Sequence, residues 1–345
     1  MARGHNMNFS EGDTMGRFFR CLTALAVGIT LLSTVSACKG GSGKEAEMEA
    51  YSPNETGKLK IGFSQMENTN PWRIAETNSI VEEAKKRGYD LLCTDAESQA
   101  KKQVEDVKYI ISRKVDYIIL APREFEGLAP ALQAAKKARI PVMLVDRAAY
   151  GTPGEDYVTF IGSDFIQQGE RAGEWLAKKL GGKGNVINIL GTAGSSVAMD
   201  RSEGFINAIS KYPDIYLVDS PPSDFTRVGG QKILENIIKS SSKKIDGIFA
   251  HNDELAIGAI QALKAAGIIP GKDVALVSVD GEKDALKAII AGELGASIEC
   301  NPRLGPSVFD AIERHSRGEK LPTKLIIPDR FFDIGNAMQF VDQAY

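Results

Sequence analysis

The chain has 345 residues, 43% of them hydrophobic and 25% charged, which is ordinary globular composition with length for one or two domains. The formal net charge is −3 and the sequence carries no basic block. A weakly acidic chain of this kind argues against nucleic acid as a partner.

The first 37 residues stand apart from the rest. Arg17 and Arg20 precede the apolar run CLTALAVGITLLSTV (21–35), which ends in VSAC (35–38). A basic stretch, a short apolar run and small residues before a cleavage point describe a secretory signal. The run is shorter than the ~20 residues of a comfortable membrane span. VSAC resembles a bacterial lipobox, which implies cleavage before Cys38 and lipid on its thiol; a plain signal with a chance cysteine is the other reading. The long leading stretch makes Met15 an alternative start. Residues 38–57 follow as anchor and tether, because KGGSGKEAEMEAYSPNETG has too few large apolar side chains to offset the entropy of ordering. Cys21 would leave with the signal. Cys93 and Cys300 remain, and are read as two buried thiols, although an exported protein could also pair them.

From Lys58 onward, short apolar runs alternate with amphipathic stretches. In chain order the expected strands are LKIGFS (59–64), YDLLC (89–93), DYIILA (116–121), PVMLV (141–145) and YVTFIG (157–162). Next come NVINIL (185–190), IYLVDS (215–220), DGIFAH (246–251), VALVSV (274–279) and GASIEC (295–300). Apolar residues at spacings of three or four mark helices between them, as at Ile80 and Ala84 before Gly88, and at Leu255, Ile257, Ile260 and Leu263 before Gly267. Near-continuous apolar strands linked by helices mean parallel sheet covered on both faces. The strands are too many for one sheet. Residues 116–147 and 246–281 also share a plan: an aspartate, a strand, a crossover helix, then a strand ending in Asp. Two similar α/β lobes are expected.

Ligands of open parallel sheets sit beyond the carboxyl ends of the strands. Those ends here carry Glu67, Trp72 and Arg73; Asp146 and Arg147; Asp164; Asp200 and Arg201; Asp224, Phe225 and Arg227; Asn252 and Asp253; Asp280; and Glu299. Carboxylates accept from neighbouring hydroxyls, arginine donates as a planar fork, and asparagine does both. An aromatic ring suits the C–H face of a sugar. The set therefore suits a polyhydroxylated ligand. Any single Asp in it is better read as a helix N-cap, and only the set as a whole is read as a ligand site. The chain has no phosphate-cradling G-x-x-x-x-G-K-[ST], no G-x-S-x-G elbow and no Cys/His spacing for a metal. A glycosidase using paired carboxylates is not favoured by any spacing. His251 is read as a strand-end hydrogen-bonding residue.

NPWRIAETN, IPVMLVDR, GTAGSSVAMDRSEGF, SDFTRVGGQ, AHNDELAIGAIQALKAAG and SVDG occur in order between about Lys58 and Pro328. Together they resemble the sugar-binding proteins of bacterial ABC importers, of the ribose- and galactofuranose-binding type. FSQ…WRIAETN, VAMDR, SDFTR and AHND…IGAIQA are most similar to the galactofuranose type. The resemblance implies two doubly wound parallel-sheet lobes, the type I periplasmic binding protein fold, joined by a three-segment hinge. The lobes would be 58–162 plus 301–326 and 163–300 plus 327–345. It implies a monosaccharide gripped between them by Asn70, Trp72, Asp146, Arg147, Arg201, Phe225, Asn252, Asp280 and Glu299, with Glu67, Glu76, Asp164, Asp224 and Arg227 as further positions. Arg73 stands where ribose binders place a second aromatic, which fits a sugar other than ribose. The resemblance also implies a monomer without cofactor or catalysis, outside the cytoplasm, delivering sugar to an ABC permease and its ATPase. A similar body could instead signal to a membrane receptor or histidine kinase. The core of lac repressor-type regulators is similar too, but they would need a DNA-binding helix-turn-helix where this chain has a signal segment.

Overall fold

The computed structural model describes residues 58–241 and 243–345. The expected signal, the Cys38 lipid site and the tether lie outside the described residues. The chain opens with β1 (Lys60–Gln65), α1 (Pro71–Arg87), β2 (Asp90–Asp95), α2 (Ala100–Ser112), β3 (Tyr117–Leu120), α3 (Ala129–Ala138), β4 (Val142–Val145) and β5 (Thr159–Gly162). A second series follows: α4 (Phe165–Lys179), β6 (Lys183–Ile189), α5 (Ser196–Ile209), β7 (Asp214–Asp219), α6 (Arg227–Ser240), β8 (Gly247–Ala250), α7 (Asp253–Ala265), β9 (Ala275–Asp280), α8 (Lys283–Ile290) and β10 (Ala296–Glu299). The chain ends with α9 (Gly305–Ser316), β11 (Lys324–Ile326), β12 (Phe331–Asp333) and α10 (Ala337–Phe340).

These strands form two six-stranded sheets with one permutation, β11-β5-β4-β3-β1-β2 and β12-β10-β9-β8-β6-β7. The β3-α3-β4 and β8-α7-β9 units, which share a sequence plan, hold equivalent places. Asp116 and Asp246 show what that plan is for. Each precedes its strand and accepts the backbone N–H of the neighbouring one, Lys60 at 2.6 Å and Asn185 at 2.9 Å. Strands β3, β4, β8 and β9 are buried at every residue, as an interior parallel strand must be. The outer strands β2 and β7 leave residues at the surface, and Cys93 of β2 is exposed. That corrects the expectation of two buried thiols: among the described residues both cysteines are free, but only Cys300 is buried.

Two strands were not expected. β11 and β12 have three residues each and lie at sheet edges, too short to show a pattern. β12 also pairs antiparallel with β10, so the second sheet is not wholly parallel. The chain passes between sheets three times: between Gly162 and Phe165, through Cys300–Leu304, and through Ile327–Arg330.

Helices α4 and α5 approach at backbone distance. A Cβ on Gly169 would sit 2.1 Å from the Arg201 carbonyl oxygen, and one on Gly204 would sit 1.9 Å from that of Ile166. Neither oxygen can retreat without moving a helix. We expect Gly204→Ala to destabilise the protein by about 1–3 kcal/mol, as overpacking does. Urea unfolding reads this as a lower midpoint; an unchanged midpoint would mean the helices can part freely.

Candidate functional site

The carboxyl ends of both sheets face a common cleft holding about 330 Å³ of atom-free space. Asn70, Trp72, Arg73, Asp146 and Arg147 line it from the first lobe. Val197, Arg201, Phe225, Asn252 and Asp280 line it from the second, and Cys300 at a chain crossing. The cleft is closed. Phe125 N–H donates to Gly194 O and Ala148 N–H to Ser196 Oγ, each at 2.9 Å from one lobe to the other.

The first wall is set by a helix cap. Asn70 is the N-cap of α1; its side chain accepts from Arg73 N at 2.9 Å, and Pro71 starts the first turn. Trp72 is thereby aimed into the cleft, where its indole N–H donates to Cys300 O at 2.7 Å. The Arg73 side chain is buried between two carboxylates, donating to Glu76 at 2.8 Å and to Asp146 at 2.5 Å. Burial works against its charge, but Asp146 and Glu76 outweigh it and hold the guanidinium pKa above its ordinary value. Burial raises the Glu76 pKa against the pull of Arg73; Gln65 steadies one of its oxygens at 2.9 Å.

Asp146 follows β4 in the left-handed region, φ 59°, which turns its carboxylate back towards Arg73. Arg147 donates to Arg123 O at 2.8 Å and lies 5.4 Å from the centre of the Phe225 ring. Its Nε has no hydrogen-bond partner. Burial, then the neighbouring Arg73, pushes its pKa down to about 9, still above neutral, so the guanidinium keeps its proton.

The second wall centres on Arg201. Its Nε donates to Gln168 Oε1 at 2.9 Å, one Nη donates to His251 O, and the other lies 3.5 Å from Asp280. Asp280 ends β9 at φ 136° and is buried; burial raises its carboxyl pKa well above the usual range, against the pull of Arg201. His251 is held well below its ordinary pKa by burial and by Arg201, so it is neutral. Its Nδ1 accepts from Gly191 N at 3.3 Å. Asn252 caps α7 through Leu255 N at 3.0 Å and donates to Phe225 O at 3.2 Å. Phe225 is left-handed, φ 62°, with its ring against Gly191, where any Cβ would lie 2.0 Å from the ring.

The structure thus brings together Asn70, Trp72, Arg73, Asp146, Arg147, Arg201, Phe225, Asn252 and Asp280. It does not bring the remaining expected residues to the cavity wall. Glu76 stands behind Arg73. Glu67 is half-buried beside Asn70, accepting its amide at 2.9 Å. Asp164 is exposed and caps α4 through Gln167 N at 3.0 Å. Asp224 is exposed and binds the backbone and hydroxyl of Thr226, at 3.2 and 2.6 Å. Arg227 pairs with Glu254 and Asp284 outside the cleft. Glu299 is buried but paired with Arg330 at 2.5 Å. Each of these satisfies a local helix end, turn or ion pair. Val197 and Cys300 were missed, because nothing in their spacing marks an apolar residue as a cleft residue rather than core.

Three buried guanidiniums (Arg73, Arg147, Arg201) meet two carboxyl groups on the wall, Asp146 and Asp280, and a third behind it, Glu76. A neutral ligand adds no further charge to this buried set. Two aromatic rings offer apolar faces, and the charged groups between them offer both donors and acceptors. Among the described residues no cluster of His, Cys, Asp and Glu could hold a metal ion, and no helix is long and apolar enough to cross a membrane.

Comparison with known proteins gives concordant matches. A family model described as a periplasmic binding protein domain matches residues 61–320. The galactofuranose-binding protein YtfQ of Escherichia coli (strain K12) is 41% identical over 272 residues, 78% of this chain and 86% of that protein. Among solved structures, the periplasmic binding protein component of the arabinose ABC transporter from Shewanella sp. ANA-3, bound to alpha and beta-L-arabinofuranose, is similar with a TM-score of 0.79 and 36% identity. The match covers 83% of this chain and 95% of that one. The fructose binding periplasmic domain of the hybrid two component system BT1754 is similar with a TM-score of 0.75 and 31% identity, covering 83% and 94%.

Proposed function

Starting from the fact that this chain belongs to the periplasmic binding protein domain family, we propose that it is the substrate-binding protein of an ABC sugar importer. It captures one neutral monosaccharide, galactofuranose or a related furanose, between its lobes and presents the closed complex to a membrane permease. It is a binding protein and not an enzyme, like its relatives. The observation that carries the reading is a cleft of intermixed guanidinium and carboxyl groups walled by Trp72 and Phe225. Within it Trp72 and Phe225 take the apolar faces of the sugar. Arg147 and Arg201 donate to its oxygens, and Asp146 and Asp280 accept from its hydroxyls. Arg73 is held by Glu76 and Asp146 as a fixed fork. The furanose choice is supported by the ligands named for the E. coli and Shewanella relatives. In the same reading the protein works as a monomer outside the cytoplasm, tethered through lipid on Cys38, and bends at its three chain crossings.

Cells lacking the gene should lose uptake of radiolabelled D-galactose or L-arabinose, and regain it with the gene restored. A sensing role is the second reading, favoured by the similarity to the fructose binding domain of a two-component system. Unchanged uptake together with lost sugar-dependent transcription would select it.

A further inference from the structure

We propose that Gln168 couples the cleft arginine Arg201 to the hinge, so that gripping a sugar and closing the lobes become one event. This rests on the sugar-binding reading above. Gln168 lies in α4, the first helix after the first crossing, and is 1% exposed. Its Oε1 accepts from Arg201 Nε at 2.9 Å. Its Nε2 donates to Asp329 Oδ2 at 2.7 Å and to Glu299 O at 3.2 Å. Asp329 belongs to the third crossing, and Glu299 ends β10 where the second begins. Ser163, in the first crossing, donates to the other Asp329 oxygen at 2.9 Å and lies 3.7 Å from Cys300 Sγ in the second.

One buried amide therefore touches the arginine on one side and the meeting point of all three crossings on the other. Its orientation is fixed by chemistry. A flipped amide would turn its NH2 towards a guanidinium and its oxygen towards a carboxylate and a carbonyl. Arg201 cannot shift along the cleft without pulling on this amide, and the crossings cannot bend without moving its other partners. The charges facing Asp329 are Arg201, which attracts it, and Glu299, which repels it. Arg171 donates to the Asp329 backbone oxygen at 2.9 Å, and Arg330 is engaged by Glu299. Burial, opposed by the Gln168 and Ser163 hydrogen bonds, pushes the Asp329 carboxyl up to about 6.

Gln168→Glu tests the coupling. It keeps an acceptor for Arg201 but sets a second carboxyl against Asp329. Such a pair repels when both are ionised and shares a proton in acid. Closure is read from hydrogen exchange at the Phe125 and Ala148 amides, whose partners lie on the opposite lobe. The full-length protein is measured at pH 7 and pH 5 with D-galactose, L-arabinose and D-ribose in their natural mixtures of ring forms, rates being normalised to the intrinsic rate at each pH. Wild type should protect both amides at both pH values with the sugar it binds. The variant should bind that sugar about tenfold or more weakly at pH 7, with protection lost, and recover protection at pH 5. Gln168→Met, which removes the polar contacts without adding charge, should lose protection at both. A Gln168→Glu protein that protects like wild type at pH 7, or loses protection equally at both pH values, overturns the coupling. So does a Gln168→Met protein that closes normally. A wild-type protein indifferent to all three sugars removes the sugar reading itself, and the inference falls with it.

Discussion

Replacing Arg201 with alanine lowers sugar affinity by about 2–5 kcal/mol, roughly thirty- to several-thousand-fold. Three partners explain the size. Arg201 is 2% exposed, and its loss leaves Gln168 Oε1 and His251 O without their donor. It also leaves Asp280, whose carboxyl is already strained by burial, with no cation beside it. Arg201→Lys keeps the charge but not the fork, because one ammonium cannot meet Gln168, His251 and Asp280 in their fixed directions. It should fall between wild type and alanine. Calorimetric titration ranks the three proteins, with near-ultraviolet circular dichroism verifying that each is folded. If Arg201→Ala binds as tightly as wild type, the sugar does not lie in this cleft.

Asp253→Ala should destabilise the protein by about 3–5 kcal/mol, since several buried donors each lose their acceptor at about 1–3 kcal/mol. Asp253 is fully buried at the start of α7 and points into the neighbouring β9–α8 turn. It accepts from Gly281 N at 2.7 Å, Glu282 N at 2.8 Å and Ser297 Oγ at 2.8 Å, and also from Ser278 Oγ. These bonds hold the turn that carries Asp280 in its unusual backbone conformation, so the variant should also lose affinity. Asp253→Asn should be nearly as damaging, because its NH2 would face donors. Urea unfolding followed by circular dichroism measures the loss. A midpoint within experimental error of wild type would mean that the turn is held by something other than this carboxylate.

Asp253 also marks how far the residues could be read in advance. Asp253 and Asp280 both follow buried strands and precede helices, and both are fully or nearly buried. Only the fold separates a carboxylate that satisfies its own backbone from one that faces the cleft. The same ambiguity explains Asp164 and Asp224. A strand, an aspartate and a helix make one pattern, whether the aspartate caps the helix or meets a ligand, and these two are exposed at helix starts and turns. Trp72 and Arg73 were legible because an aromatic and an arginine stand together just beyond a strand end, where ligands of parallel sheets sit. The interior strands were legible because burial on both faces demands unbroken apolar runs. β11 and β12 were not, because three residues at an edge need no such run. Gln168 and Asp329 are 161 residues apart and meet only where the crossings gather, so no periodicity could pair them.

The most direct measurement is calorimetry on the protein after unfolding and refolding to strip any bound sugar. The titrants are D-galactose, L-arabinose, D-ribose, a furanose-locked galactoside and D-galacturonate. Binding near a micromolar constant, about −8 kcal/mol, is expected for the furanose forms, with ribose and the charged galacturonate silent. Silence across the panel, or a preference for galacturonate, would contradict a cleft built for a neutral furanose.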